Sequence, residues 1–335
     1  TVSVEEPDTL DFTLNIDSAS CKGVCDGQIE FTSTSGGTTP YEYSIDNGTT
    51  YQSNATFSGE CAGNYDLKVR DANSCEVDTN VNIDEPNKIT FSASDDSVSC
   101  KDTCDGTIEF TSVSGGTTPY QYSIDNGANF QGSSTFNDQC KGTYELIVKD
   151  DNGCDDSGSV SIEEPSELSF TTSMDSVSCN GACDGKVEVT SVSGGTSPYQ
   201  YSKDSGASFQ GNTTFSNLCD STYNILVKDD NGCEDTSSVT VEEPDTLTFT
   251  TTSDSVSCFG GSDGKITVSA SGGTIPYSYS NDSGSTYQSS DIFSSLSADT
   301  FGVVVKDDNG CTDTNDVEVG EPDDLTITMN KNDAS

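Results

Sequence analysis

Fourteen cysteines and no histidine mark where this 335-residue chain could do covalent or metal chemistry. Cys21, Cys100, Cys179 and Cys258 stand 79 residues apart, and each opens a group. Three groups hold four cysteines: Cys21/Cys25/Cys61/Cys75, Cys100/Cys104/Cys140/Cys154 and Cys179/Cys183/Cys219/Cys233. The fourth keeps Cys258 and Cys311, with Ser262 and Ser297 at its two middle positions. Cysteines in this number form disulfides or hold zinc. A zinc site that lost two ligands would be broken, whereas a module that lost one bridge would keep the other. The absence of His also removes the mixed zinc sites. The joint loss of the middle pair therefore predicts second–third bridges, Cys25–Cys61, Cys104–Cys140 and Cys183–Cys219. It also predicts first–fourth bridges, Cys21–Cys75, Cys100–Cys154, Cys179–Cys233 and Cys258–Cys311. Oxidised cysteines on this scale belong outside the reducing cytosol. Each bridge is worth about 4 kcal/mol by loop entropy, so the fourth group should be the least stable.

Carboxylates are the second resource. Asp and Glu number 57 against 13 Lys and Arg, a net charge of −44. That excludes nucleic acid and anionic membrane surfaces as partners. Calcium, which takes six to eight oxygen ligands, is the cofactor such clusters would hold. Candidates are Asp150/Asp151/Asn152, Asp229/Asp230/Asn231 and Asp307/Asp308/Asn309, with Asp71 and Asn73 in the first repeat and Glu pairs at the junctions. An Asp-Asn-Gly string equally makes a turn, and no complete calcium-loop motif is present. No catalytic residue is assigned. Without His there is no His-based triad or acid–base pair. The Gly-Gly-Thr segments lack the Gly-Lys-Ser/Thr of a phosphate loop.

These residues must be held by a repeated element. A 79-residue period indicates an array of similar domains. The modules span 8–86, 87–165, 166–244 and 245–322, each closing on Glu-Pro. Residues 1–7 match the tail of a preceding repeat and 323–335 the head of a following one, so a longer parent array is expected. Within module 1, apolar residues alternate at Leu10/Phe12/Leu14, Ile29/Phe31, Tyr41/Tyr43/Ile45, Tyr65/Leu67/Val69 and Val81/Ile83. Period-two alternation marks strands, and Asn-Gly or Ser-Gly pairs between them mark tight turns. About seven short strands and no helix predict an all-β fold: a tandem array of four small immunoglobulin-like antiparallel β-sandwiches, stapled by disulfides. Trp is absent, so Tyr43, Phe57 and Tyr65 are expected to fill the core. No apolar run reaches the 18 residues of a membrane span.

The ordered motifs also carry a resemblance. Cys258/Gly260/Asp263-Gly264, Gly36-Gly37-Thr38/Pro40-Tyr41/Tyr43, Gly142/Tyr144 and Val148/Asp150/Cys154 resemble the SprB-type repeat of large surface adhesins in gliding bacteria. The resemblance covers all four modules. It implies a secreted or cell-surface location, an adhesive or stalk role and no catalysis. Bacteria of the implied phylum O-glycosylate Asp-Ser/Thr before a small or branched apolar residue. That pattern falls at Ser18, Ser97, Ser176, Ser255, Thr9 and Thr246.

The resulting expectation is a non-catalytic extracellular stalk or adhesin segment. Its first–fourth bridges would short-circuit each module against stretching. Its partners would be further copies of the repeat in the parent chain and an unidentified polysaccharide or protein ligand. The alternatives are a self-assembling fibre subunit and a binding module using Tyr41, Tyr43 and Tyr51.

Overall fold

The computed structural model describes Val2 and residues 5–329. Residues 1, 3 and 4 of the expected leading repeat tail, and 330–335 of the expected following head, lie outside the described residues. The chain divides into two compact units, Thr1–Pro165 and Ser166–Ser335.

In the first unit the alternating segments form β1 (Asp11–Asp17), β2 (Gly27–Ser35), β3 (Glu42–Ser44), β4 (Thr56–Glu60), β5 (Gly63–Arg70) and β6 (Glu76–Ile83). They make two antiparallel sheets, ordered β1-β2-β4 and β3-β5-β6. The chain changes sheet from β2 to β3, from β3 to β4 and from β4 to β5. This is the strand order of an immunoglobulin-like sandwich with one edge strand missing. Six strands form where about seven were expected, and a polar turn lies between β3 and β4. Asp46 accepts hydrogen bonds from the Thr50 N–H (2.9 Å), the Thr50 hydroxyl (2.7 Å) and the Ser44 hydroxyl (2.7 Å). Residues committed to closing such a turn cannot also extend as a strand. The same six strands in the same two sheets recur over 90–162, 169–241 and 248–319.

Strand alternation sends Ile29 and Phe31 of β2, Leu67 and Val69 of β5, and Ile83 of β6 into the space between the sheets, all at or below 4% exposure. Without Trp, Phe31 centres the core, 5.2 Å from Phe12 and 4.8 Å from Tyr43 between ring centroids. Tyr43 is buried, while Phe57 and Tyr65 pack on the core partly exposed. Gly36 explains its own place in the Ser-Gly-Gly-Thr signature. It sits at φ +77°, where a Cβ would lie 2.0 Å from the Thr9 carbonyl oxygen.

Each sandwich has two poles. The start of β1 and the β5–β6 turn share one, since the Gly37 N–H donates to the Asp8 carbonyl (2.8 Å) and the Thr38 N–H to Asp71 (2.8 Å). The end of β1, the loop after it and the end of β6 share the other, where the Ala19 N–H donates to the Asp84 carbonyl (2.9 Å).

Candidate functional site

The polarity of the strands decides how the cysteines pair. Cys21 lies in the loop after β1, at the pole where β6 ends. Cys75 lies immediately before β6, at the opposite pole. The eight residues of β6 set these poles about 26 Å apart at about 3.3 Å per residue. A disulfide needs Cα atoms within about 7 Å. The expected Cys21–Cys75 bridge is therefore geometrically closed, and the structure has another. Cys21 bonds Cys154 of the following module, with Cα atoms 5.6 Å apart and 133 residues between them. In the second unit Cys179 bonds Cys311, Cα atoms 5.8 Å apart and 132 residues between them. These two bridges replace the expected Cys21–Cys75, Cys100–Cys154, Cys179–Cys233 and Cys258–Cys311 pairings. Cys100 and Cys233 are disulfide-bonded as well. Cys75 and Cys258 are free and exposed. Cys25–Cys61, Cys104–Cys140 and Cys183–Cys219 join the second and third positions within a module, each with Cα atoms 3.9 Å apart.

The intermodule bridge has two built halves. One is the loop after β1. In module 1, Asp26 accepts the Ser20 N–H (2.8 Å) and the Ser20 hydroxyl, and these bonds hold its carboxyl below the usual range. The side chain of Glu85, just after β6 at the same pole, closes the loop. It accepts the Gly23 N–H (2.7 Å) and pairs with Lys22. Lys22 and that N–H lower the Glu85 pKa. The same closure recurs from Glu164 to Asp102 N–H (3.2 Å), Glu243 to Gly181 N–H (2.8 Å) and Glu321 to Gly260 N–H (3.0 Å). Each of these Glu-Pro glutamates thus orients its own module's first cysteine. Sequence reasoning set Glu164 and Glu243 among junction charges and missed this role. The recurrence of each Glu-Pro 61 or 62 residues after the second residue beyond the first cysteine was the signal for it.

The other half is the β5–β6 turn. Asp150 is buried at 3% exposure. Its carboxylate accepts the Thr117 N–H (2.7 Å) and the Cys154 N–H (2.8 Å). Asn152 then donates from Nδ2 to the Ser20 carbonyl of module 1 (3.2 Å) and to the Thr117 hydroxyl (3.2 Å). The second unit repeats the arrangement. Asp307 accepts Thr274 N–H (2.8 Å) and Cys311 N–H (2.8 Å), and Asn309 donates to the Ser178 carbonyl (2.9 Å).

The calcium candidates are these same turns. Asp71, Asp150, Asp229 and Asp307 are buried and accept backbone N–H bonds. Asp151, Asp230 and Asp308 are exposed, while Asn152, Asn231 and Asn309 donate to the hydroxyls of Thr117, Thr196 and Thr274. Among the described residues no three His, Cys, Asp or Glu side chains gather as metal ligands. The glycosylation candidates Ser18, Ser97, Ser176 and Ser255 are exposed at one equivalent position after the first strand, and Thr9 and Thr246 are exposed too. The tyrosines considered for ligand binding have internal duties. Tyr41 donates to the Gly36 carbonyl (2.7 Å). Tyr51 donates to Glu76 (2.9 Å) and lies 3.9 Å below the Arg70 guanidinium.

Family comparison matches the SprB repeat model four times, over residues 13–50, 92–129, 171–208 and 250–286. The chain is an array of SprB-type repeats. No curated protein sequence matches it. Among solved structures it is similar to three N-terminal domains of the outer capsid protein Hoc of bacteriophage RB49. Identity is 15%, 69% of this chain and 95% of that one are covered, and the TM-score is 0.33. It is also similar to the eight N-terminal immunoglobulin domains of Down Syndrome Cell Adhesion Molecule, at 11% identity, 91% and 58% coverage and a TM-score of 0.23. The strand order within each SprB module, rather than these overlaps, defines its immunoglobulin-like fold.

Proposed function

We propose that this SprB array is a non-catalytic, extracellular stalk or adhesin segment whose intermodule disulfides carry tension. The observation that supports it is the pair of bridges Cys21–Cys154 and Cys179–Cys311, each leaping from one module to the next. Force applied at the chain ends follows the shortest covalent path. That path enters each pair of modules at the first cysteine and leaves it at the last. Modules whose strands peel apart would release no length between those points. Twelve disulfide-bonded cysteines support an oxidising, extracellular compartment. The absence of His from the sequence and the internal duties of the buried aspartates support a structural role.

Single-molecule pulling between the two termini tests the reading. The oxidised chain should stretch to about 70 residues of free contour, about 235 Å at about 3.4 Å per residue. After reduction it should reach about 1,140 Å by the same measure. A bridge inside each module would instead give about 120 residues, or about 405 Å. Full contour in the oxidised chain would overturn the proposal.

A further inference from the structure

The Cys21–Cys154 joint differs from the Cys179–Cys311 joint in what stands beside the disulfide. A cleft of about 410 Å³ opens at Cys21–Cys154, and both cysteines form part of its wall. Lys22 of module 1 and Lys88 of module 2 line it as well, with Val24 and Asp155. Clefts of about 300–1,000 Å³ hold small molecules. Both cysteines are half-buried rather than sealed. Lys22 pairs with Glu85, and Lys88 with Asp156 (3.1 Å), yet the two lysine side chains are 55% and 67% exposed. Such exposed pairs are weak, so both ammonium groups can turn to an arriving anion. At the other joint Asn180 stands in the place of Lys22 and Thr246 in the place of Lys88. There the Thr246 hydroxyl donates to Asn180 Oδ1 (3.0 Å), and Asn180 Nδ2 donates to the Pro244 carbonyl (3.2 Å). Neutral hydrogen bonds thus join the modules where the first joint holds two cations. The charges follow the same split. At the first joint Lys22 and Lys88 stand against Glu85, Asp155 and Asp156, one net negative charge. At the second the corresponding residues leave Glu243, Asp245 and Asp313 without a cation, three net negative charges.

We propose that this cleft is an exchange site for small anionic thiols, which open Cys21–Cys154 before Cys179–Cys311. The attacking species in thiol–disulfide exchange is the thiolate, and its rate depends on access to the sulfur. On a chain of net charge −44 an anionic thiol is repelled almost everywhere, and local cations raise its concentration where they stand. The incoming thiolate bonds one bridge sulfur, the Cys21–Cys154 bond breaks, and the other sulfur leaves as a thiolate that takes a proton from water. A second small thiolate then attacks the mixed disulfide. The small disulfide departs, and the second cysteine is released as a thiolate and protonated. The bridge has gained two electrons and two protons, and two small thiols have become one disulfide. Opening this joint alone would let load reach the strands of modules 1 and 2 while modules 3 and 4 stay bridged. That consequence rests on the tension reading; the order of opening does not, because it is measured without force.

The test uses the full oxidised chain, with the free Cys75 and Cys258 first blocked by an alkylating reagent. Reduced glutathione, whose thiolate form carries net negative charge, is added at low salt. Samples are quenched over time with an isotopically distinct alkylating reagent, and peptide mass mapping reads which cysteines have opened. Label at Cys21 and Cys154 should appear about tenfold faster than at Cys179 and Cys311. Cysteamine, whose ammonium cancels its thiolate charge, should open the two joints at rates within about twofold of each other. Glutathione in about 0.5 M salt should lose most of its preference. Lys22→Asn with Lys88→Thr should slow the first joint to the rate of the second. Asn180→Lys with Thr246→Lys should speed the second severalfold. A quench before any thiol is added, which should label no cysteine, verifies that the bridges of each variant are intact. Equal rates with glutathione overturn the proposal, as does faster opening of Cys179–Cys311. So does a preference of the same size with cysteamine, or one that survives Lys22→Asn with Lys88→Thr. None of these outcomes would change the oxidised pulling length set by Cys21–Cys154 and Cys179–Cys311.

Discussion

Carboxylates do in this protein what cysteines cannot: they fix loops one hydrogen bond at a time. The polar turn after β3 is the sharpest case. Asp46, Asp125, Asp204 and Asp282 are each held at a pKa of about 2. The largest cause is a side-chain donor, Thr50 for Asp46, Asn129 for Asp125, Ser202 for Asp204 and Ser280 for Asp282. An unfolded Asp titrates near about 3.9. The folded state thus prefers the ionised form, and the resulting stability is complete above the unfolded pKa. It is lost as pH falls through about 4 towards about 2. Urea midpoints should hold between pH 7 and 5 and drop between pH 4 and 2. Protonation also relieves the repulsion of a net charge of −44, which acts in the opposite direction. Comparison with a chain carrying Asn at all four positions isolates the turn. The difference between the two chains should shrink below pH 4, and a constant difference would refute the assignment.

At the scale of the element, one module departs from the others in a way that can be repaired. Module 4 has Ser262 and Ser297 where the others have bridged cysteines. Those bridges join residues with Cα atoms 3.9 Å apart, and the strands around Ser262 and Ser297 repeat theirs. Ser262→Cys with Ser297→Cys should form the missing bridge and stabilise module 4 by about 3–4 kcal/mol through loop entropy. Thermal melting of the oxidised double variant against the parent measures this, and an unchanged melt would show that the fourth module's poles differ. Strand parity is also where the sequence was legible but incompletely used. Alternation at Tyr65/Leu67/Val69 and Val81/Ile83 located β5 and β6 correctly. Counting their directions would have put Cys75 at the pole opposite Cys21. Spacing alone was degenerate, because a 79-residue period offers Cys21 a fourth-position cysteine at both 75 and 154. The glutamate closure was hidden for a different reason. Glu85 and Gly23 are 62 residues apart in sequence, and no local pattern announces that the end of β6 and the loop after β1 meet at one pole.

Over the whole molecule the dominant quantity is charge. The sequence has 57 acidic side chains against 13 basic ones, and folding into compact units brings like charges closer than they are in the unfolded chain. Ion pairs offset little of this. Several of those described, such as Lys88 with Asp156 (3.1 Å) and Lys228 with Glu234 (3.4 Å), involve solvent-exposed lysines, and such pairs are worth about 0–1 kcal/mol. Screening at 0.5 M salt shortens the range of repulsion well below the about 10 Å that holds at 0.1 M. Melting temperature should therefore rise steadily between 10 mM and 0.5 M sodium chloride. Calcium separates screening from binding. The turn aspartates spend their carboxylate oxygens on backbone N–H groups, as Asp150 does with Thr117 and Cys154. Millimolar calcium added at 150 mM sodium chloride should accordingly move the melt little, because monovalent ions already supply the screening. A rise of several degrees that saturates at one ion per module would instead require those turns to open and take up the metal. The module carrying it could then be found by replacing Asp151, Asp230 or Asp308 singly, since these are the exposed acids beside the buried ones.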